Sequence, residues 1–137
     1  MIALERLRPK SVDLSMFFVL NKTNTLGNQF LAELRDATTQ LDMSRFRRNQ
    51  ERIGEILAYE ISKKLKYVET EVQTPLGIAT VNVPATRPVL GTILRACLPF
   101  HQGFLNLFDK SPSAFITAYR KVRKEGGFCI NIDHIGT

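Results

Sequence analysis

The sequence predicts an α/β fold built on a parallel sheet, and three features predict it. Two stretches with helical periodicity lie near the start, alternation of period two runs through Val68–Val83, and an apolar strand–helix–strand succession occupies Val89–Tyr119. The chain has 137 residues, 44% of them hydrophobic and 23% charged, which suits one domain with a modest core. No internal repeat or low-complexity segment divides it.

Residues 1–15 show no strong periodicity and carry Pro9, and residues 16–20 read as a short apolar strand or an extended arm. From Asn24 the pattern turns helical. Leu26, Phe30, Leu31 and Leu34 share one face, with Asn24 or Thr25 as the cap. A longer helix begins near Asp42 or Ser44 and carries Phe46, Ile53, Ile56, Leu57, Ile61 and Leu65 on its apolar face. Gly54 costs that helix about 1 kcal/mol relative to alanine, so it marks a close packing contact.

The period then changes. Val68, Thr70 and Val72 alternate with Glu69, Glu71 and Gln73, and after Thr74-Pro75-Leu76-Gly77 a second run extends from Ile78 to Val83. Proline second and glycine fourth in a four-residue turn make a hairpin. The hairpin is poor in large apolar residues and is expected to project from the core. Val89–Leu94 reads as a strand buried on both faces, as parallel strands are. Pro99 opens a helix through Phe108, Ala114–Tyr119 forms a second buried strand, and Phe128–Ile132 forms a third after a basic turn ending at Gly126-Gly127. The strand–helix–strand unit implies a parallel pair with a right-handed crossover.

The net charge of +6 favours anionic partners, leaving nucleic acid, phosphorylated small molecules and acidic lipid open. Cys97 and Cys129 lie far apart and form no C-x-x-C pair, which argues against a disulfide framework and for a reducing compartment. The apolar run Leu14–Leu20 is too short to span a bilayer and lacks a signal-peptide cleavage site, so the expected location is the cytoplasm.

Open α/β sheets bind ligands beyond the carboxyl ends of their strands. Arg95 and Arg120 occupy two such ends, and a pair of guanidinium forks suits a polyphosphate; the competing view is two unrelated surface arginines. No phosphate-binding glycine loop of a known nucleotide fold is present. His101 lies among apolar neighbours and is expected to be structural or exposed, Asp133-His134 is a weak pair, and no spacing suits zinc. Arg45-Phe46-Arg47-Arg48-Asn49 combines basic and aromatic residues as a nucleic-acid contact would. Phe46 falls on the apolar helix face, however, and the arginines have Glu51 and Glu55 within helical reach.

The segment GTILRACLPFHQG, Gly91 to Gly103, resembles the I-L-R-A-G-L pyrophosphate-loop segment of uracil phosphoribosyltransferases. RFRRNQERIGEILAYEIS (Arg45–Ser62) is similar to the family's long N-terminal helix, EVQTPLGIATVNV (Glu71–Val83) to its β-arm, and AFITAYRK (Ala114–Lys121) to its strand ending in Tyr-Arg. The likeness runs in register from Leu26 to Ile132, while residues 1–15 stand as an unmatched extension ahead of the domain part at 16–137. The resemblance implies a Rossmann-like, phosphoribosyltransferase-type sheet, truncated, with N-terminal helices and a projecting arm at 68–83. It implies transfer of uracil to 5-phosphoribosyl 1-pyrophosphate (PRPP), giving UMP and pyrophosphate, with Mg²⁺ on the sugar and pyrophosphate oxygens. It assigns Arg95, Ala96, Cys97 and Arg120 to the pyrophosphate, and it implies a homodimer formed through the arm, with no membrane and no nucleic-acid partner.

Two departures qualify this. Cys97 stands where the family has glycine: either its side chain crowds the loop or it points away. The family's Asp-Pro-Met-Leu-Ala-Thr-Gly-Gly-Ser loop and Gly-Asp-Ala uracil segment are not in this sequence. The chain alone is therefore expected to be inactive. The alternative is a non-catalytic relic serving as a dimerisation or regulatory module, and an RNA-binding attenuator on the same fold is a third reading.

Overall fold

The computed structural model describes residues 17–122 and 128–135; the unmatched extension, position 16 and the basic turn at 123–127 lie outside them. Three α-helices and five strands follow a short 3₁₀ turn at Leu20–Lys22: α1 Leu26–Arg35, α2 Met43–Ser62, β1 Tyr67–Thr74, β2 Gly77–Pro84, β3 Leu90–Leu94, α3 Leu98–Leu107, β4 Ser113–Val122 and β5 Phe128–Ile135. Helix α3 is packed between α2 and the strand β3.

The Asp42 carboxylate caps α2, accepting from the backbone N–H groups of Ser44 and Arg45, both at 3.0 Å. Helix α1 starts after Thr25, whose side chain makes no capping bond, and Leu26 departs from the expected apolar face, being 71% exposed. Phe30, Leu31 and Leu34 of that face are half-buried, and polar groups join the two helices as well. The Glu33 carboxylate accepts from Arg45 Nε and Nη2 at 2.9 and 3.0 Å, from Asn49 Nδ2 at 2.6 Å and from Gln29 Nε2 at 3.2 Å. Asn49 is fully buried, and its oxygen accepts from Arg52, whose guanidinium sits over the Phe30 ring. Of the expected arginine–glutamate pairs on α2, Arg48–Glu51 forms at 2.7 Å. Arg45 turns to Glu33 instead, and Glu55 accepts from Asn106 of α3.

The predicted close contact at Gly54 is present. A Cβ there would lie 2.5 Å from the Phe100 carbonyl oxygen of α3. A Cβ on Gly103 would collide with the Glu51 carbonyl oxygen and with Gly54 Cα itself. The two backbones therefore meet with no side chain between them, and Asn106 closes the crossing by donating to Glu51 and Glu55 at 2.9 and 2.6 Å. Ile61, expected on the apolar face, is exposed at the end of α2, and Leu65 lies beyond the helix.

Strands β1 and β2 form an antiparallel hairpin in which Thr74 pairs with Gly77 across Pro75-Leu76. Gly77 has φ +133°, a backbone that favours glycine. The hairpin is a separate two-stranded sheet, as the sequence predicts. Val68, Val72 and Val81 line up on one of its faces and are exposed.

The second sheet has the order β3-β4-β5. β3 and β4 are parallel, with Leu90 opposite Ser113 and Leu94 opposite Thr117, connected through α3. β5 is antiparallel to β4, so the sheet is mixed rather than parallel throughout. Only residues 123–127 separate the two strands, and parallel neighbours require a crossover of about a dozen residues or more. The strands are also buried on one face, not both. Leu90 and Thr92 are buried under α3, while Ile93, Ile116, Ile130 and Ile132 stay exposed on the opposite face, Ile130 at 63% and Ile132 at 69%.

Two outcomes follow. Gly103→Ala forces α2 and α3 apart and should cost about 1–3 kcal/mol of stability, read from the midpoint of denaturant unfolding. Hydrogen bonds from Arg45, with those from Asn49 and Gln29, hold the Glu33 carboxyl at about 2, below its ordinary 4.5. A depressed folded-state value contributes stability that is full above pH 4.5 and is lost as pH falls towards about 2. Glu33→Gln should flatten the stability–pH curve across that interval, and an unchanged slope would show that the network does not persist in solution.

Candidate functional site

The carboxyl end of β3 runs directly into α3. Leu94, Arg95, Ala96 and Cys97 make that turn, and a cis peptide joins Leu94 to Arg95. The turn is fastened to the helix by its own carbonyls: Leu98 N–H donates to Arg95 O at 3.2 Å and His101 N–H donates to Cys97 O at 2.8 Å. Pro99 sits in the first turn of α3, where its missing N–H costs nothing.

Opposite this turn lies the parallel neighbour β4. Ile93, Leu94, Arg95, Ala96 and Cys97 on one side and Thr117, Ala118 and Tyr119 on the other line an open cavity of about 630 Å³. The cavity opens at the carboxyl ends of the parallel pair, the region where open α/β sheets bind ligands. Arg95, Ala96 and Cys97 are brought together and are exposed. Among the described residues Arg95 has no ion-pair partner, and a guanidinium suits an anion. Arg120 lies on β4 past Thr117, the residue opposite the last residue of β3, in a stretch paired with Ile130 of β5. Both arginines are therefore at the same end of the sheet.

Cys97 is the residue preceding α3, with φ −83° and ψ 0°, an ordinary conformation for a side-chain-bearing residue. Glycine's backbone freedom is not required there, and the exposed thiol forms part of the cavity wall.

His101 is structural, as its neighbours predict, but it is also a polar hub that periodicity does not disclose. It is 6% exposed. Its Nδ1 shares a 2.6 Å hydrogen bond with Thr92 Oγ1 of β3, and its Nε2 shares a 3.1 Å bond with Ser113 Oγ at the start of β4. Its ring lies 5.2 Å from that of Phe115. The sequence signal was present as Thr92 in the middle of β3 and Ser113 at the start of β4, but their convergence depends on the parallel register. Asp133 and His134 lie on β5, opposite Thr117 and Ile116. Among the described residues no group of three or more His, Cys, Asp or Glu could hold a metal ion, and no helix is long and apolar enough to cross a membrane.

Residues 22–129 match the uracil phosphoribosyltransferase family. The chain belongs to that family. A uracil phosphoribosyltransferase of Porphyromonas gingivalis is 52% identical over 118 residues, covering 86% of this chain and 55% of the relative. One from Methanothermobacter thermautotrophicus is 42% identical over 98 residues, covering 69% of this chain and 44% of the relative. The chain spans about half the length of the curated relatives it matches. A solved structure of an Aquifex aeolicus protein overlays with a TM-score of 0.60 at 23% identity, covering 82% of this chain and 53% of that one, and shares the fold.

Proposed function

We propose that this chain forms the pyrophosphate-binding part of a uracil phosphoribosyltransferase, which converts uracil and PRPP to UMP and pyrophosphate in pyrimidine salvage. The observation that carries the reading is the exposed Arg95 in the β3–α3 turn, which with β4 lines an open cavity. In this reading Arg95 and Arg120 grip pyrophosphate oxygens, and the Ala96-Cys97 backbone approaches them. The uracil ring nitrogen bonds to the anomeric carbon while the bond from that carbon to pyrophosphate oxygen breaks, and uracil's proton is lost to solvent. The arginines oppose the negative charge that develops on the leaving group, which is the contribution this half of a site can make.

Mg²⁺ enters with PRPP, held by the substrate's own sugar and pyrophosphate oxygens. The described residues supply guanidinium groups for phosphate and no acidic cluster for a cation, and we assign the ion no protein ligand. The sheet is read as the first part of a phosphoribosyltransferase-type, Rossmann-like domain at 16–137. Its sparing, separated cysteines support a cytoplasmic location.

Two chains are proposed to join through the arm at 68–83. An isolated two-stranded hairpin is marginal in water, and this one leaves Val68, Val72 and Val81 uncovered on one face.

The chain is expected to bind Mg-pyrophosphate and Mg-PRPP in calorimetry but to form little UMP by itself. Arg95→Ala should weaken binding about 10- to 100-fold, the loss of one charge-assisted contact. Binding that ignores the substitution would move the site elsewhere, and steady UMP formation would refute the half-site. In sedimentation, Val72→Lys should turn a dimer into a monomer, and a dimer that persists would exclude the arm as the interface.

A further inference from the structure

We propose that His101 is a positioning residue that orients the Arg95–Cys97 turn, with Thr92 and Ser113 as its two anchors. A buried imidazole is expensive unless both nitrogens are satisfied, and here each meets a hydroxyl from a different strand. A leucine or phenylalanine would fill the same space without that requirement. What histidine adds is direction. Apolar contacts are non-directional and let a helix rotate or slide on a sheet, whereas two hydrogen bonds to β3 and to the first residue of β4 fix the rotation of α3 about its own axis.

The same residue reaches the turn through its backbone, since its N–H holds the Cys97 carbonyl one helical turn back. A rotation of α3 therefore carries Cys97, and through the Leu98–Arg95 bond Arg95 as well, relative to Thr117–Tyr119 across the cavity. His101 touches no ligand in this arrangement. It decides where the residues that do so stand.

The ligand arm of the test rests on the pyrophosphate reading, and the conformational arm does not. In the 137-residue chain, Thr92→Val removes one anchor at nearly constant volume, Thr92→Ser keeps the hydroxyl, and His101→Phe removes both bonds while filling the site. Hydrogen exchange is followed at the Leu98 and His101-position amides, which donate into the turn, and at Ile53–Ala58 of α2 as reference. Thr92→Val should speed exchange at the two turn amides about tenfold, the worth of one net hydrogen bond, and His101→Phe by at least as much; both should leave α2 unchanged and weaken Mg-pyrophosphate by a similar factor. Thr92→Ser should restore both.

Faster exchange in α2 and the turn alike would reduce His101 to a general stabiliser and overturn the proposal. So would unchanged exchange at the turn, or pyrophosphate binding that His101→Phe leaves intact. A turn that responds as expected in a chain that binds no pyrophosphate would uphold the positioning role and sink the phosphate reading alone. Ser113→Ala, at the half-buried end of the relay, serves the same comparison if Thr92→Val does not fold.

Discussion

Where α2 crosses α3, Gly54 and Gly103 leave the two backbones in contact, and α3, β3 and β4 take their places from that crossing. Helix α3 lies against β3, β3 pairs with β4, and the cavity opens at the ends of those two strands. A methyl group at the crossing would lift α3 and carry the Arg95 turn with it. The two glycines cost helix propensity, and the compact stacking of α2, α3 and sheet offsets that cost.

The apolar core available to hold this stack is small. Among the described residues the buried hydrophobic side chains are Ile53, Ala58 and Leu90, and polar groups take up much of the work of orientation. Glu33 gathers Gln29, Arg45 and Asn49 between α1 and α2, Asn106 bridges α3 to two glutamates of α2, and His101 joins α3 to β3 and β4. Each linkage is directional, so each fixes an angle as well as a distance. The exposed isoleucines on the far side of the sheet show the complementary condition, a face with no element of the described residues to orient against it.

Local features were legible in the sequence where local chemistry determines them. Asp42 as a cap, Gly54 as a contact, Pro99 in the first turn of α3 and the Pro75-Leu76 hairpin all depend on a few neighbouring residues. The position of Arg95 at the end of β3 was legible because it follows an apolar strand and precedes the turn into a helix. What the sequence could not disclose depends on distant partners. Apolar runs look alike whether one or both faces are covered, so β3 and β4 seemed fully buried although Ile93 and Ile116 are exposed. Arg45 has helical partners within reach yet selects Glu33, which only the α1–α2 packing brings near. The Thr92–His101–Ser113 relay needs three elements in register before it exists at all.

The tip of the arm has a practical consequence for engineering. Leu76 is wholly exposed, and a Cβ built on Gly77 meets nothing within 4 Å. The chain there turns in open solvent, held by the ladder from Tyr67 to Pro84 rather than by the core. Such a tip is a natural graft point: an epitope or a fluorescent peptide inserted between Pro75 and Leu76 would travel with the protein while leaving the helices and the cavity as they are.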